Sequence, residues 1–299
     1  MEGVSYRGNT RDLSNVVLLN RAIDYFNNEY EQNLETNKID PTNFADIYSQ
    51  EEIEKDYLFV EKKKQEFKQK DIGNFKSKEN KRISEVFEKI LSLRGEQNDW
   101  FGDYFYMTNT SDFDDFKNKA DILGIFTTET EDADGEDFTG VIFDVTSATD
   151  QNLQLKLQSN LARISGHLTE PEIKYFEHDE IKYKGKLKKI IPLVVGLDSA
   201  NTRNLIMELY TADIEKKRKE MAEHPCSILL LKEIQAQLEG YTKILEKSDP
   251  KKYFSKVEKL KLIIEAILNS KKSLSERPET RDLVKNDRVI GQIRHFFLK

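Results

Sequence analysis

Asp121, Asp144 and Lys156 are the residues of this chain whose types and spacing could do chemistry. Asp121 opens the apolar run ADILGIF. Asp144 sits inside a second run, GVIFDVTSA. Lys156 follows in TDQNLQLKLQ. In IFDVT, period-two alternation puts Ile142, Asp144 and Thr146 on one strand face and Phe143 and Val145 on the other. A carboxylate in such a run costs several kcal/mol to bury without a partner, so Asp144 needs a cation or a hydrogen-bond network. If the two runs pair as a hairpin, both acids meet at one end of a sheet. A hard cation such as Mg²⁺ or Mn²⁺ is typically held by one or two carboxylates, with water and substrate phosphate completing the shell. There it can activate water and neutralise charge at phosphorus. The same acids can also be structural, bonded to backbone N–H groups.

The elements that would position these residues can be read from periodicity. Residues 81–95, KRISEVFEKILSLRG, form an amphipathic helix with Ile83, Val86, Phe87, Ile90 and Leu91 on its apolar face, and Gly95 stops it. A strand is expected near residues 104–108, then the ADILGIF strand, then the GVIFDVTSA strand across an acidic loop at 129–138. A polar connection between two apolar runs is a hairpin signal. Residues 151–164 form a helix with Leu153, Leu157, Leu161 and Ile164 buried. EIKYFEH is strand-like. IIPLVVGL reads as a strand buried on both faces, with Pro192 near its start. Another helix follows it. The mixed order predicts an α/β fold around a small sheet.

The flanks are helical. A helix covers residues 13–34, Pro41 marks a break, and one or two charged helices fill residues 44–70, whose lysines read as a solvated face. Residues 71–80 read as a linker. From Cys226 on, two helices should pack as an αα-hairpin. The final RVIGQIRHFFLK is open between helix and strand. Three regions result: a helical extension at 1–78, an α/β core at 79–222 and a helical region at 223–299.

Composition bounds the function classes. The chain has 299 residues, 37% hydrophobic and 34% charged, with a net charge of −7 and a pI near 5.4. That balance argues against broad sequence-independent nucleic-acid binding, although residues 174–189 and 214–219 are locally basic. One cysteine, Cys226, permits no internal disulfide and supports no cysteine-based zinc site. The four histidines are dispersed without ligand spacing and are read as non-catalytic. No stretch has the ~18 apolar residues of a membrane span, and no signal peptide is evident, so a cytoplasmic setting without a membrane partner is expected. Nucleotide-loop and serine-hydrolase motifs are absent.

The order of helix, ADIL strand, IFDVT strand, helix, IIPLVVGLD strand and helix resembles the PD-(D/E)XK nuclease-like superfamily over about residues 80–210. The resemblance implies an αβββαβ restriction-endonuclease-like core and a Mg²⁺- or Mn²⁺-dependent site for DNA or RNA cleavage. Glu85 matches the first-helix acid, with Glu88 as its substitute. Asp121 matches the motif aspartate and Asp144 the acid of the triplet, and these two would hold the metal. The triplet departs from the pattern, because Thr146 stands where the lysine belongs. In some members the following helix supplies that lysine, which makes Lys156 the candidate. It lies about six residues into its helix, roughly 9 Å along the axis. Gln154 and Gln158 flank it. If no lysine reaches the site, a catalytically inactive nuclease-fold protein is the better reading. It would act as a binding or assembly module, meeting protein partners through its helical ends.

Overall fold

The computed structural model describes residues 9–37, 39–70, 75–127, 138–147, 149, 151–178, 182–211, 221–247 and 251–297. It is a mixed α/β structure around a small mixed sheet. Four strands form that sheet in the order β1 (Phe105–Asn109), β2 (Ile122–Phe126), β3 (Thr139–Thr146) and β6 (Ile191–Gly196). β1–β2 and β2–β3 are antiparallel, and β3–β6 is parallel. A parallel neighbour needs a long crossover. Here it contains α5 (Gln151–Ile164) and a separate antiparallel hairpin, β4 (Glu172–His178) with β5 (Tyr183–Lys188).

Three N-terminal helices precede the sheet: α1 (Asn9–Asn37), α2 (Gln50–Lys70) and α3 (Phe75–Arg94). α3 starts before the expected helix and takes in most of the expected linker, of which residues 71–74 lie outside the described residues. Its added turn is rich in Lys and Glu, both good helix formers. Between β1 and β2, where the sequence shows no apolar periodicity, residues 112–118 form α4 (Asp112–Asn118). Ser111 caps it, its Oγ accepting from the Asp114 amide at 3.1 Å. β5 was also missed. Its sequence, YKGKLK, looks solvated, but Leu187 is buried under the sheet. Of the expected acidic loop at 129–138, residues 129–137 lie outside the described residues.

Two apolar clusters hold the sheet. Val141, Phe143 and Val145 point into the larger one, with Phe87 and Ile90 of α3 and Leu153 and Leu157 of α5. Ile142, Leu123 and Ile125 point to the other face, against Ile173, Phe176 and Leu187 of the hairpin. The alternation read from IFDVT is therefore the observed one.

The C-terminal region is helical throughout its described residues: α6 (Ser199–Thr211), α7 (Pro225–Leu245), α8 (Lys251–Ser270), α9 (Lys272–Ser275), α10 (Pro278–Asn286) and α11 (Arg288–Phe297). The open question of the tail resolves as helix. Val289, Ile290, Ile293 and Phe297 recur at helical spacing, and all four are buried. No described helix is long and apolar enough to cross a membrane.

α7 lies against the outer edge of β6. Its side chains bond the strand backbone at Pro192, Val194 and Gly196. Glu233 accepts from the Gly196 amide at 2.8 Å, while its other oxygen has no partner among the described residues. Burial, reinforced by Asp287, pushes this carboxyl well above the usual carboxylate range. The folded state therefore holds a proton that the unfolded chain gives up. The stability from this group is complete below the ordinary carboxylate pKa and is lost as pH rises through the folded value. Urea unfolding at pH 5 and pH 8 is expected to show Glu233→Gln gaining on wild type with pH, by at most about 1.4 kcal/mol per pH unit. A constant difference at both pH values would mean that Glu233 is not the group that ionises.

Candidate active site

The register of β2 and β3 builds the site. Ile122 pairs with Phe143, so Asp121, one residue earlier, stands opposite Asp144. Period two places Asp121 with Leu123, and Asp144 with Ile142, on the same face. Asp121 anchors itself to β3, with its Oδ2 accepting from the Val145 amide at 2.8 Å. Lys156 projects from α5 to the same point. Its Nζ forms a short charge-assisted contact with Asp144 Oδ1 and donates to the Val145 carbonyl at 3.1 Å. The side chain of Asp144 is only 14% exposed, so this cation is what compensates its burial. Lys156 thus reaches the acid pair from α5, while Thr146 is buried on β3.

A cleft of about 510 Å³ opens over these groups. Asp121, Asp144 and Lys156 line it, with Asp115 and Lys119 from the end of α4 and Asn160 one helical turn beyond Lys156. The Nδ2 of Asn160 is buried and has no partner among the described residues. Gln154 and Gln158 are exposed and are not among the lining residues. None of the histidines lines the cleft. His224 caps α7, its Nδ1 accepting from the Cys226 amide at 3.1 Å.

Charge is concentrated around the two aspartates. Burial raises the Asp121 carboxyl well above its ordinary value. Glu88 and Asp144 push it further, while Lys156 and the Val145 amide pull it back. Glu88 rises to about 7, first through burial and then through Asp115 and Glu85, against the pull of Lys156 and Lys89. Asp115 is exposed as a residue, but where it lines the cleft, loss of hydration with Asp112 and Asp144 lifts it to about 6. In all three burial is the largest cause, and repulsion among the neighbouring carboxylates adds to it.

The two candidate acids of α3 are placed differently. Glu85 is exposed and stands 4.0 Å from Lys81. Glu88, one turn on, is the one that interacts with Asp121. Asp115 and Lys119 were missed by the sequence reading. The signal was the capping pattern Ser111-x-x-Asp114, which announces a helix. Asp114 is fully buried and accepts from the Lys174 and Tyr175 amides at 2.7 and 3.1 Å. It locks α4 to β4 and so fixes Asp115 and Lys119. Lys119 ends the helix in the left-handed region, at φ 56°. Arg163 of α5 donates to the Asn118 carbonyl at 2.8 Å, which ties the two walls of the cleft together.

Compared with known families, curated proteins and solved structures, the chain has no match.

Proposed function

We propose that the cleft is the centre of a metal-dependent phosphodiester hydrolase, acting on DNA or RNA and built on a restriction-endonuclease-like αβββαβ core. The observation that carries this reading is the arrival of Lys156 at Asp144, beside Asp121, in an open cleft. The strand order supports it too: an antiparallel meander preceded by a helix, then a helical crossover to a parallel strand. α4 and the β4–β5 hairpin are additions to that plan.

The donor set fits Mg²⁺ or Mn²⁺. No group of three or more His, Cys, Asp or Glu residues suited to a metal occurs among the described residues. Mg²⁺ asks for less, being bound through one or two carboxylates plus water and substrate phosphate. Asp121 and Asp144 would hold it. The oxygens of Asp144 and Val145 already converge on one cation, the Lys156 ammonium. When bound, the ion would polarise the phosphodiester and lower the pKa of a water. Lys156 would move from Asp144 to the charge that builds on the phosphoryl oxygens. Asn160 would offer its unpaired amide to the substrate, and Lys119 would meet a phosphate at the rim.

A second reading draws on the same contact. The Lys156–Asp144 pair neutralises the aspartate without any metal, which suits a protein that keeps the fold for binding or assembly and does no chemistry. One assay separates the two. The chain is incubated with single- and double-stranded DNA and RNA in Mg²⁺ or Mn²⁺, beside Asp144→Asn and Asp121→Asn. Cleavage by wild type, lost in both variants and on chelation of the metal, is the expected result. Cleavage that both variants retain would sink the site. No cleavage, with no heat of Mn²⁺ binding in calorimetry, would leave the second reading.

A further inference from the structure

A second cleft, of about 460 Å³, lies in the C-terminal helical region and is lined from α7, α9, α10 and α11. Its lining is basic: Lys232 from α7, Arg281 and Lys285 from α10, and Arg294 from α11. Among the lining residues Glu276 is the one carboxylate, and it stands 4.0 Å from Lys272. None of the four cations makes a salt bridge among the described residues. Lys232 donates to the neutral Gln235 at 3.3 Å, and Arg294 acts only from a distance on buried Glu233. Converging cations cost free energy through mutual repulsion, and a folded chain normally spreads them or pairs them.

A buried hydroxyl at the same place points to a ligand independently. Thr280 lines the cleft, is fully buried, and its Oγ1 has no hydrogen-bond partner among the described residues. A buried hydroxyl without a partner is costly unless something bonds to it. Thr280 lies in the first turn of α10, a nine-residue helix whose N-cap, Arg277, makes no side-chain capping bond. Backbone amides at such a helix start favour an anion.

We propose that this cleft is a binding site for a phosphate group. Arginine forks and lysine ammonium groups match its charge and its several acceptor oxygens, and Thr280 adds a neutral donor. The volume would admit more than the phosphate, so the group can arrive on a phosphomonoester such as a mononucleotide or within a phosphodiester strand. The site is separate from the Asp121–Asp144 cleft and does not depend on the catalytic reading.

The test is calorimetric titration of the full chain with inorganic phosphate in the presence of chelator. The comparisons are the double variant Arg281→Ala/Lys285→Ala, the variant Thr280→Val, and Lys55→Ala, an exposed cation of α2, as a control. Arg281 and Lys285 are exposed, so their loss leaves the core intact. Each cation removed is expected to weaken binding about tenfold, so the double variant should lose about 100-fold. Thr280→Val should weaken binding, and Lys55→Ala should leave it unchanged. A 5′-mononucleotide and a fluorescent oligonucleotide then identify the source. Displacement of the oligonucleotide by phosphate from wild type, with no oligonucleotide binding by the double variant, assigns a strand. Tighter binding of the mononucleotide, with oligonucleotide binding unaffected by the double variant, assigns a phosphomonoester. Absence of phosphate binding by wild type, or equal binding by the double variant, would overturn the proposal.

Discussion

Lys156→Met is expected to lower the rate of metal-dependent cleavage by about 10²–10³ while leaving Mn²⁺ affinity equal to wild type or higher. The two effects have opposite causes. In the ground state the Lys156 ammonium sits on Asp144 Oδ1 and the Val145 carbonyl, which are oxygens that a metal would use. Removing it takes away a competitor for the ion. In the transition state the same ammonium would lie against the phosphoryl oxygens, where a pre-placed cation is worth a few kcal/mol. Methionine keeps an unbranched apolar stem and removes only the charge. Single-turnover cleavage measures the first effect and calorimetry with Mn²⁺ the second. Turnover equal to wild type would mean that Lys156 only neutralises Asp144. Unchanged turnover with weaker metal binding would mean that it holds the strand ends in place. A purely structural lysine would not give loss of rate together with retained or improved metal binding.

The acid pair was legible in the sequence because its signal is local. Asp121 and Asp144 interrupt apolar runs, and period two fixes which face they share. Antiparallel pairing then has to bring them together if the register is right. Lys156 was legible only as a reach. Nothing in LQLKLQ distinguishes it from an ordinary solvated position, and only the packing of α5 against β6 brings its side chain within reach of Asp144 on the neighbouring strand. Glu88 and Glu85 were harder to separate. They lie three residues apart on one helix, and choosing between them needs the rotation of α3 about its axis, which its contact with the sheet sets. Asp115 depended on α4, a seven-residue helix whose charged sequence reads as a loop until its buried Asp114 is seen bonded to β4. β5 failed for the opposite reason. Its lysines suggested solvent, but alternate residues face the sheet and only those carry the burial. The C-terminal tail needed its partner: Val289, Ile290, Ile293 and Phe297 define a helix face only once α7 is there to cover it.

Gln237→Leu is expected to destabilise the chain by about 3 kcal/mol, although it puts an apolar residue into an apolar helix. β6 ends the four-stranded sheet, so its outer edge has backbone groups that no strand pairs. α7 bonds them with side chains. Tyr241 donates to the Pro192 carbonyl at 2.8 Å. Gln237 accepts from the Val194 amide at 2.9 Å and donates to the Val194 carbonyl at 2.7 Å. Glu233 accepts from the Gly196 amide. The spacing explains why this works. Four helical residues advance about 6 Å and two strand residues about 6.6 Å, so one helix face stays in step with one strand edge over three contacts. Gln237 is fully buried, so leucine would leave both Val194 groups without water or a partner. Each such group costs about 1–3 kcal/mol, part of which the apolar side chain recovers. Total stability is only about 5–15 kcal/mol, so the shift should be plain in a urea midpoint. A change below about 0.5 kcal/mol, the usual range for surface positions, would mean that the edge is satisfied another way. The same variant tests how the fold supports the site. Val194 is the register partner of Asp144 across the parallel β3–β6 pair. Loosening β6 at Val194 should therefore lower cleavage at temperatures where the chain is still folded, with Asp121, Asp144 and Lys156 all intact.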